Sequence, residues 1–358
     1  MRRLELLDYG RFAASLAVVV FHYTYNGIRN GKITSIDYLP HITSITRYGH
    51  FGVELFFIIS GYVIFYSAEN KLASQFAYSR IKRLYPTFWC GMLFSAFFAF
   101  LWAGDTVMAV TGKQVLVNLS MMPNAFGERY VDGVYWTLLW ELRFYALVFL
   151  MLLTGLGKHL RTLFMVWPCY LVIAHALRWD GPYTDSNYAL FVAGSLFAML
   201  KGRMEPRYLF SLGLCFLAGA FGNAPFGLHG LGIARTAALA LFFGFFFVLN
   251  TRRGASLQLP GSNVLGALTY PIYLVHAHFG YLFLSRFATN DNRIAMYLLL
   301  LGVVLAVTYA IHVLVEERMA PMWSSLFKRI IESPIAWLEA RMDGLRPRTT
   351  TAEQDETR

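Results

Sequence analysis

Leu6-Leu7-Asp8-Tyr9-Gly10-Arg11-Phe12-Ala13-Ala14-Ser15-Leu16-Ala17-Val18-Val19-Val20-Phe21-His22-Tyr23 is the stretch that decides the fold. Its apolar run is that of a membrane-spanning helix, yet an arginine and a histidine stand eleven residues apart in it. Eleven steps of about 100° make about three turns plus roughly 20°. Arg11 and His22 therefore share a helix face, roughly 16 Å apart along the axis. Asp8 and Ser15 fall on the same stripe. Ionisable side chains are costly in hydrocarbon and usually face a bundle interior or a water-filled cavity. A lone charge near a helix end can snorkel to the interface, and Arg11 alone allows that blander reading. Four polar residues choosing one face favour function. Histidine titrates near neutral pH and suits general-base work.

Composition agrees with a membrane setting. Of 358 residues, 57% are hydrophobic and 15% charged, against about 25% charged in soluble domains. The formal net charge is +10. Anionic lipid headgroups and the positive-inside bias account for most of that excess, so nucleic acid is not an expected partner. Cys90, Cys169 and Cys215 fall in apolar segments without metal-ligand spacing, so neither a disulfide framework nor a metal site is expected. A positive start and an apolar run raise the question of a signal peptide. Asp8 and Arg11 interrupt the run and no small-residue cleavage site follows, so it reads as a retained first helix.

About 20 apolar residues span a hydrocarbon core. Ten segments qualify, at about 5–25, 49–67, 86–103, 134–154, 162–178, 187–201, 207–221, 229–249, 263–285 and 294–315. With a cytoplasmic N-terminus, twenty lysines and arginines fall on the cytoplasmic side and eight outside, with Arg11, Arg143 and Arg235 in spans. That split favours both termini in the cytoplasm. The expected fold is an all-α integral membrane bundle of about ten transmembrane helices over 1–317. A cytoplasmic interfacial amphipathic helix is expected over 318–344, bent near Pro334, and a disordered tail over 345–358.

Four further elements carry polar chemistry. Gly49-His50-Phe51-Gly52-Val53-Glu54 opens the second span, and Glu54 reaches about the depth of His22. A carboxylate there can orient an imidazole and steady its charged form. A rim carboxylate in water is the plain alternative. Arg80, Lys82 and Arg83 precede Pro86, the expected start of the third span. They read as a positive-inside anchor or as a phosphate site on the cytoplasmic side. Trp136-Thr137-Leu138-Leu139-Trp140-Glu141 places interfacial tryptophans beside an intramembrane glutamate, a functional candidate by default. Tyr270, Tyr273 and His276 recur every three residues around Pro271, lining a site or simply packing. Nucleotide-loop glycines, HExxH and GxSxG are absent. One histidine–carboxylate set among many aromatics suggests transfer of a group to a hydroxyl.

These motifs resemble the acyltransferase-3 family of bacterial membrane proteins, which O-acylate carbohydrates. The resemblance runs from about Leu6 to Pro321. It rests on Arg11-x10-His22, Gly52-Val53-Glu54-Leu55-Phe56-Phe57-x-x-Ser60-Gly61, Arg80-x-x-Arg83-x-x-Pro86, Trp136-Thr137-Leu138-x-x-Glu141 and Tyr270-x-x-Tyr273-Leu274-x-His276. Family members usually begin the first motif Leu-Asp-Gly-Leu-Arg; here it reads Leu7-Asp8-Tyr9-Gly10-Arg11. The resemblance implies an acyl-CoA donor, typically acetyl-CoA, with no tightly bound cofactor. It implies a carbohydrate acceptor, His22 as the essential histidine, and Arg11, Arg80 and Arg83 as CoA contacts. It also implies the bacterial inner membrane.

The expectation is then concrete. The CoA phosphates sit near Arg80, Lys82 and Arg83, and the pantetheine arm passes Arg11 to reach His22. Glu54 or Glu141 steadies the imidazolium, while Trp136, Tyr270, Tyr273 and His276 line the acceptor side. A transporter or flippase for a sugar or lipid-linked sugar is the competing reading, and a structural subunit with a polar seam the plainer one.

Overall fold

The computed structural model describes residues 4–104, 106–200, 204–221 and 230–345, with 230, 231 and 343–345 described by backbone alone. Among the described residues every regular element is helical. The main helices are α1 (Glu5–Phe21), α2 (Gly52–Ala68), α3 (Ala73–Trp102), α4 (Trp136–Leu153) and α5 (Leu160–Ala176). They continue as α6 (Ser186–Leu200), α7 (Pro206–Phe221), α8 (Gly230–Leu249), α9 (Ser262–Phe287) and α10 (Arg293–Ile311). Each overlaps one of the apolar segments, α3 starting well before its own. Five helical stretches are long and apolar enough to cross a membrane: Pro40–Ala68, Ala73–Trp102, Gly133–Leu153, Gly232–Leu249 and Arg293–Arg318. The α6 and α7 helices, with 15 and 16 residues, are shorter, and α1 and α9 carry the polar groups described below.

The α6 helix lies at the centre of its half of the bundle. All its residues but Asn187 are buried, enclosed by α2, α5 and α7. Fifteen residues make roughly 22 Å of helix. A helix wrapped by protein need not match the bilayer's thickness. Gly61 and Gly194 set the α2–α6 crossing: a Cβ on Gly61 would lie 1.8 Å from the Phe191 carbonyl oxygen, and one on Gly194 would lie 1.9 Å from that of Ile58. Small residues permit this backbone approach. In the other half, α1 lies between α9 and α2. Gly280 of α9 receives the Tyr23 ring, whose hydroxyl donates to the His276 carbonyl at 3.0 Å.

Two helices depart from the expected outline. The third span is not preceded by a basic loop: α3 starts at Ala73 and continues through Pro86. Arg80, Lys82 and Arg83 therefore project from a helix. An interior proline removes one backbone hydrogen bond at a cost of about 3 kcal/mol. Phe76, Ala77, Leu84, Thr87 and Phe88, all buried, hold the helix together across it. The first span is α-helical only to Phe21; His22–Asn26 form a π-helical turn. A second π turn, His312–Arg318, ends α10. Such turns are rare and occur frequently at functional sites.

The C-terminal segment forms α11 (Ala320–Phe327), a third π turn over Lys328–Glu332, and α12 (Ser333–Leu345). Pro334 sits in the first turn of α12, directly after the third π turn. Both helices pack on α3. The buried Glu339 carboxylate accepts the backbone N–H groups of Ala73 and Ser74 at 2.6 and 3.2 Å, capping the start of α3. Met322, Leu326, Ile330, Trp337 and Leu338 stay exposed. The tail expected to be disordered lies, from residue 346, outside the described residues.

Candidate active site

The polar faces of α1, α2, α3, α4 and α9 enclose three adjoining cavities rather than one. The first, of about 860 Å³, is lined by Asp8 and Arg11 of α1, Arg80, Lys82 and Arg83 of α3, Tyr270 of α9, and Glu316 of the second π turn. Glu316 is engaged within the protein: Thr87 donates to it at 2.8 Å and His312 Nδ1 lies 2.8 Å from its other oxygen. The cations of α3 thus face a space that suits an anion with several oxygens.

Arg11, Arg83 and Tyr270 also line a neck of about 70 Å³, together with Glu141, Ser60, Thr137 and Tyr273. Glu141 accepts from Ser60 Oγ at 3.0 Å and from the Tyr145 hydroxyl. Arg11 lies within electrostatic reach of Asp8, Glu141 and Arg83. Its Nε is buried without a hydrogen-bond partner. Buried polar atoms are nearly always paired, so an orphan donor in a cavity wall calls for an explanation such as an unseen ligand.

Val53, Phe57, Thr137 and Tyr273 carry the neck into a second cavity of about 630 Å³. His22 lies in its wall with Glu54, Asp132, Arg235, Lys32 and Trp136. The π turn puts Asn26 beside His22. Asn26 Nδ2 donates to the Tyr281 hydroxyl oxygen at 3.0 Å and lies 3.3 Å from His22 Nδ1. The Tyr281 hydroxyl itself contacts Nδ1. The His276 ring stands edge-on to His22, centroids 5.0 Å apart.

The expected residues divide among these spaces. His22, Glu54, Trp136 and Tyr273 meet in the second cavity; Arg11, Arg80, Lys82, Arg83 and Tyr270 meet in the first. Neither carboxylate takes the place expected for it beside the imidazole. Glu54 faces Arg235, with Oε1 3.8 Å from Nε, and Glu141 stands in the neck. The groups at His22 Nδ1 are Tyr281 and Asn26, because the π turn carries Asn26 round to that side. His276 lines none of the three cavities: it is fully buried, and its Nδ1 lies 3.0 and 2.9 Å from the carbonyls of Ile272 and Tyr273. It packs behind the His22 ring.

Asp132 was not anticipated. Its buried carboxylate accepts the N–H of Val134 at 3.1 Å and that of His278 at 2.8 Å, tying the loop before α4 to α9. The only sequence signal is an acidic residue just before Gly133, too common to single out. Among the described residues no group of three or more His, Cys, Asp or Glu is placed to hold a metal ion.

The family model for an acyltransferase domain, acyltransferase-3, matches residues 4–313. No curated protein and no solved structure matches the chain. The family match spans the second cavity, the neck, every expected site residue and all of the first cavity's wall up to residue 313, so this membrane protein belongs to the acyltransferase-3 family.

Proposed function

We propose that this enzyme moves an acyl group, most simply acetyl, from acyl-CoA to a hydroxyl of a cell-surface or exported carbohydrate. The observation that carries this reading is the arrangement of Arg11 and His22. They sit at opposite ends of a neck joining a cationic cavity to a polar one. An extended pantetheine arm suits a path of roughly 16 Å along one helix. The phosphates lie against Arg80, Lys82 and Arg83, and Arg11 guides the arm into the neck. All ten helices cross the bilayer, with both chain ends in the cytoplasm of a bacterial inner membrane.

At the far end, His22 Nδ1–H donates to the Tyr281 oxygen, leaving Nε2 as the base. His22 Nε2 takes the proton of the acceptor hydroxyl, whose oxygen attacks the thioester carbonyl. The C–S bond breaks, and the imidazolium returns its proton to the departing thiolate. The Tyr281 oxygen holds the ring and its tautomer, and Asn26 Nδ2, donating to that oxygen, holds Tyr281. Trp136, 44% exposed, and the polar groups of Asn30, Asn187 and Asp132 suit a sugar's flat C–H face and its hydroxyls.

Heat stability of the purified protein tests the donor. Ligand at about a hundred times its Kd stabilises a native state by about 2.7 kcal/mol, so CoA raises the unfolding temperature and dephospho-CoA does so less. Equal curves with and without CoA, together with sugar-coupled ion flux in vesicles, would support a transporter instead.

A further inference from the structure

The match to the family ends at residue 313, but the wall of the cationic cavity does not. Val315, Glu316, Glu317, Ala320 and Trp323 all line it. Trp323 comes from α11, which the second π turn swings across α3. Its ring lies edge-on to Trp89 of α3, centroids 6.1 Å apart, and stacks on Phe327 at 6.1 Å and 20°. The indole Nε1 is buried and has no hydrogen-bond partner. Indole nitrogen is a donor only; buried below the surface, it leaves the ring rather than the N–H as what Trp323 offers the cavity.

The attachment of this segment is specific. Glu339 fixes α12 to the first turn of α3 through the N–H groups of Ala73 and Ser74. The same helix carries Arg80, Lys82 and Arg83 two to three turns later. One helix therefore fixes the cations and the aromatic wall relative to each other. Cations meet phosphates; an aromatic ring in the cavity wall meets the face of a flat heterocycle. Together these are the two halves of a nucleotide.

We propose that the segment after residue 313 is part of the donor site, and that Trp323 contacts the purine of the donor's nucleotide end. This rests on the acyl-CoA reading above. Stacking on a base gives about a ten- to hundredfold change in affinity on substitution by alanine.

Calorimetric titration of the full chain in detergent with CoA and with 4′-phosphopantetheine, which lacks the adenosine end, tests this. In Trp323→Ala, CoA is expected to bind about tenfold or more weakly, with phosphopantetheine unchanged. Equal affinities to wild type for both, or an equal loss for both, overturn the assignment. Should Trp323→Ala not fold, Trp323→Leu decides. It keeps apolar bulk and loses the aromatic face, so CoA weakens several-fold and phosphopantetheine does not; no change in either refutes the contact. A wild-type protein that binds neither ligand refutes the donor reading itself, a different result from all of these.

Discussion

Replacing Val53 by phenylalanine should close the neck and leave the cationic cavity at its inner end untouched. Val53 lines both the neck and the second cavity. The neck measures about 70 Å³, the room of about two water molecules. A benzyl group in place of an isopropyl group takes up most of that space. The phosphates still find Arg80, Lys82 and Arg83, because the first cavity does not include Val53. CoA affinity should therefore stay within about twofold of wild type, since surplus contacts there are unchanged. The thioester, however, no longer reaches His22. A misplacement of about 1 Å at a reacting centre already costs about a hundredfold, so acyl transfer should fall at least that far, about 2.7 kcal/mol in barrier. The assay is transfer of labelled acetyl from acetyl-CoA in detergent or proteoliposomes, paired with calorimetric CoA binding. Overpacking costs about 1–3 kcal/mol, so the unfolding temperature is measured in parallel. Val53→Ala, which widens the neck, should keep its activity. A folded Val53→Phe protein that transfers acetyl at the wild-type rate would refute the path through the neck.

Other substitutions act on separate parts of the molecule. Tyr281→Phe removes the hydroxyl at His22 Nδ1 and should lower kcat about ten- to hundredfold, at about 1–3 kcal/mol for an unpaired buried group, with CoA affinity intact. Gly61→Ala places a Cβ 1.8 Å from the Phe191 carbonyl oxygen; about 1–3 kcal/mol of stability should be lost, read as a lower unfolding temperature. Glu339→Ala removes the cap on Ala73 and Ser74 and should cost about 0.5–2 kcal/mol. Proteolysis should then release the segment after residue 313 faster.

Much of the helix order was legible because it rests on local signals. Apolar runs and punctuating polar segments mark each of the ten helices, and helical period alone puts Arg11 and His22 on one face. The misreadings arise where distant packing overrides local chemistry. Pro86 looks like a helix start, yet α3 begins at Ala73 because burial of Phe76 and Ala77, with a carboxylate from residue 339, supports the preceding turns. The nearest carboxylates in sequence pattern, Glu54 and Glu141, proved to be occupied elsewhere. The groups at His22 Nδ1 are Asn26, which needs a π turn, and Tyr281, 259 residues away. No periodicity encodes either. The C-terminal segment shows the same limit: its apolar residues read as a lipid-facing stripe, while Trp323 and Phe327 turn to α3.

In this reading His22 performs the transfer at the end of a donor path. Acetyl transfer from labelled acetyl-CoA, by purified wild-type and His22→Ala proteins matched for CoA affinity, tests it most directly. His22→Ala is expected to bind CoA as wild type does and to transfer at least about a hundredfold more slowly, the lower bound for loss of a general base. Transfer at the wild-type rate by His22→Ala would contradict it.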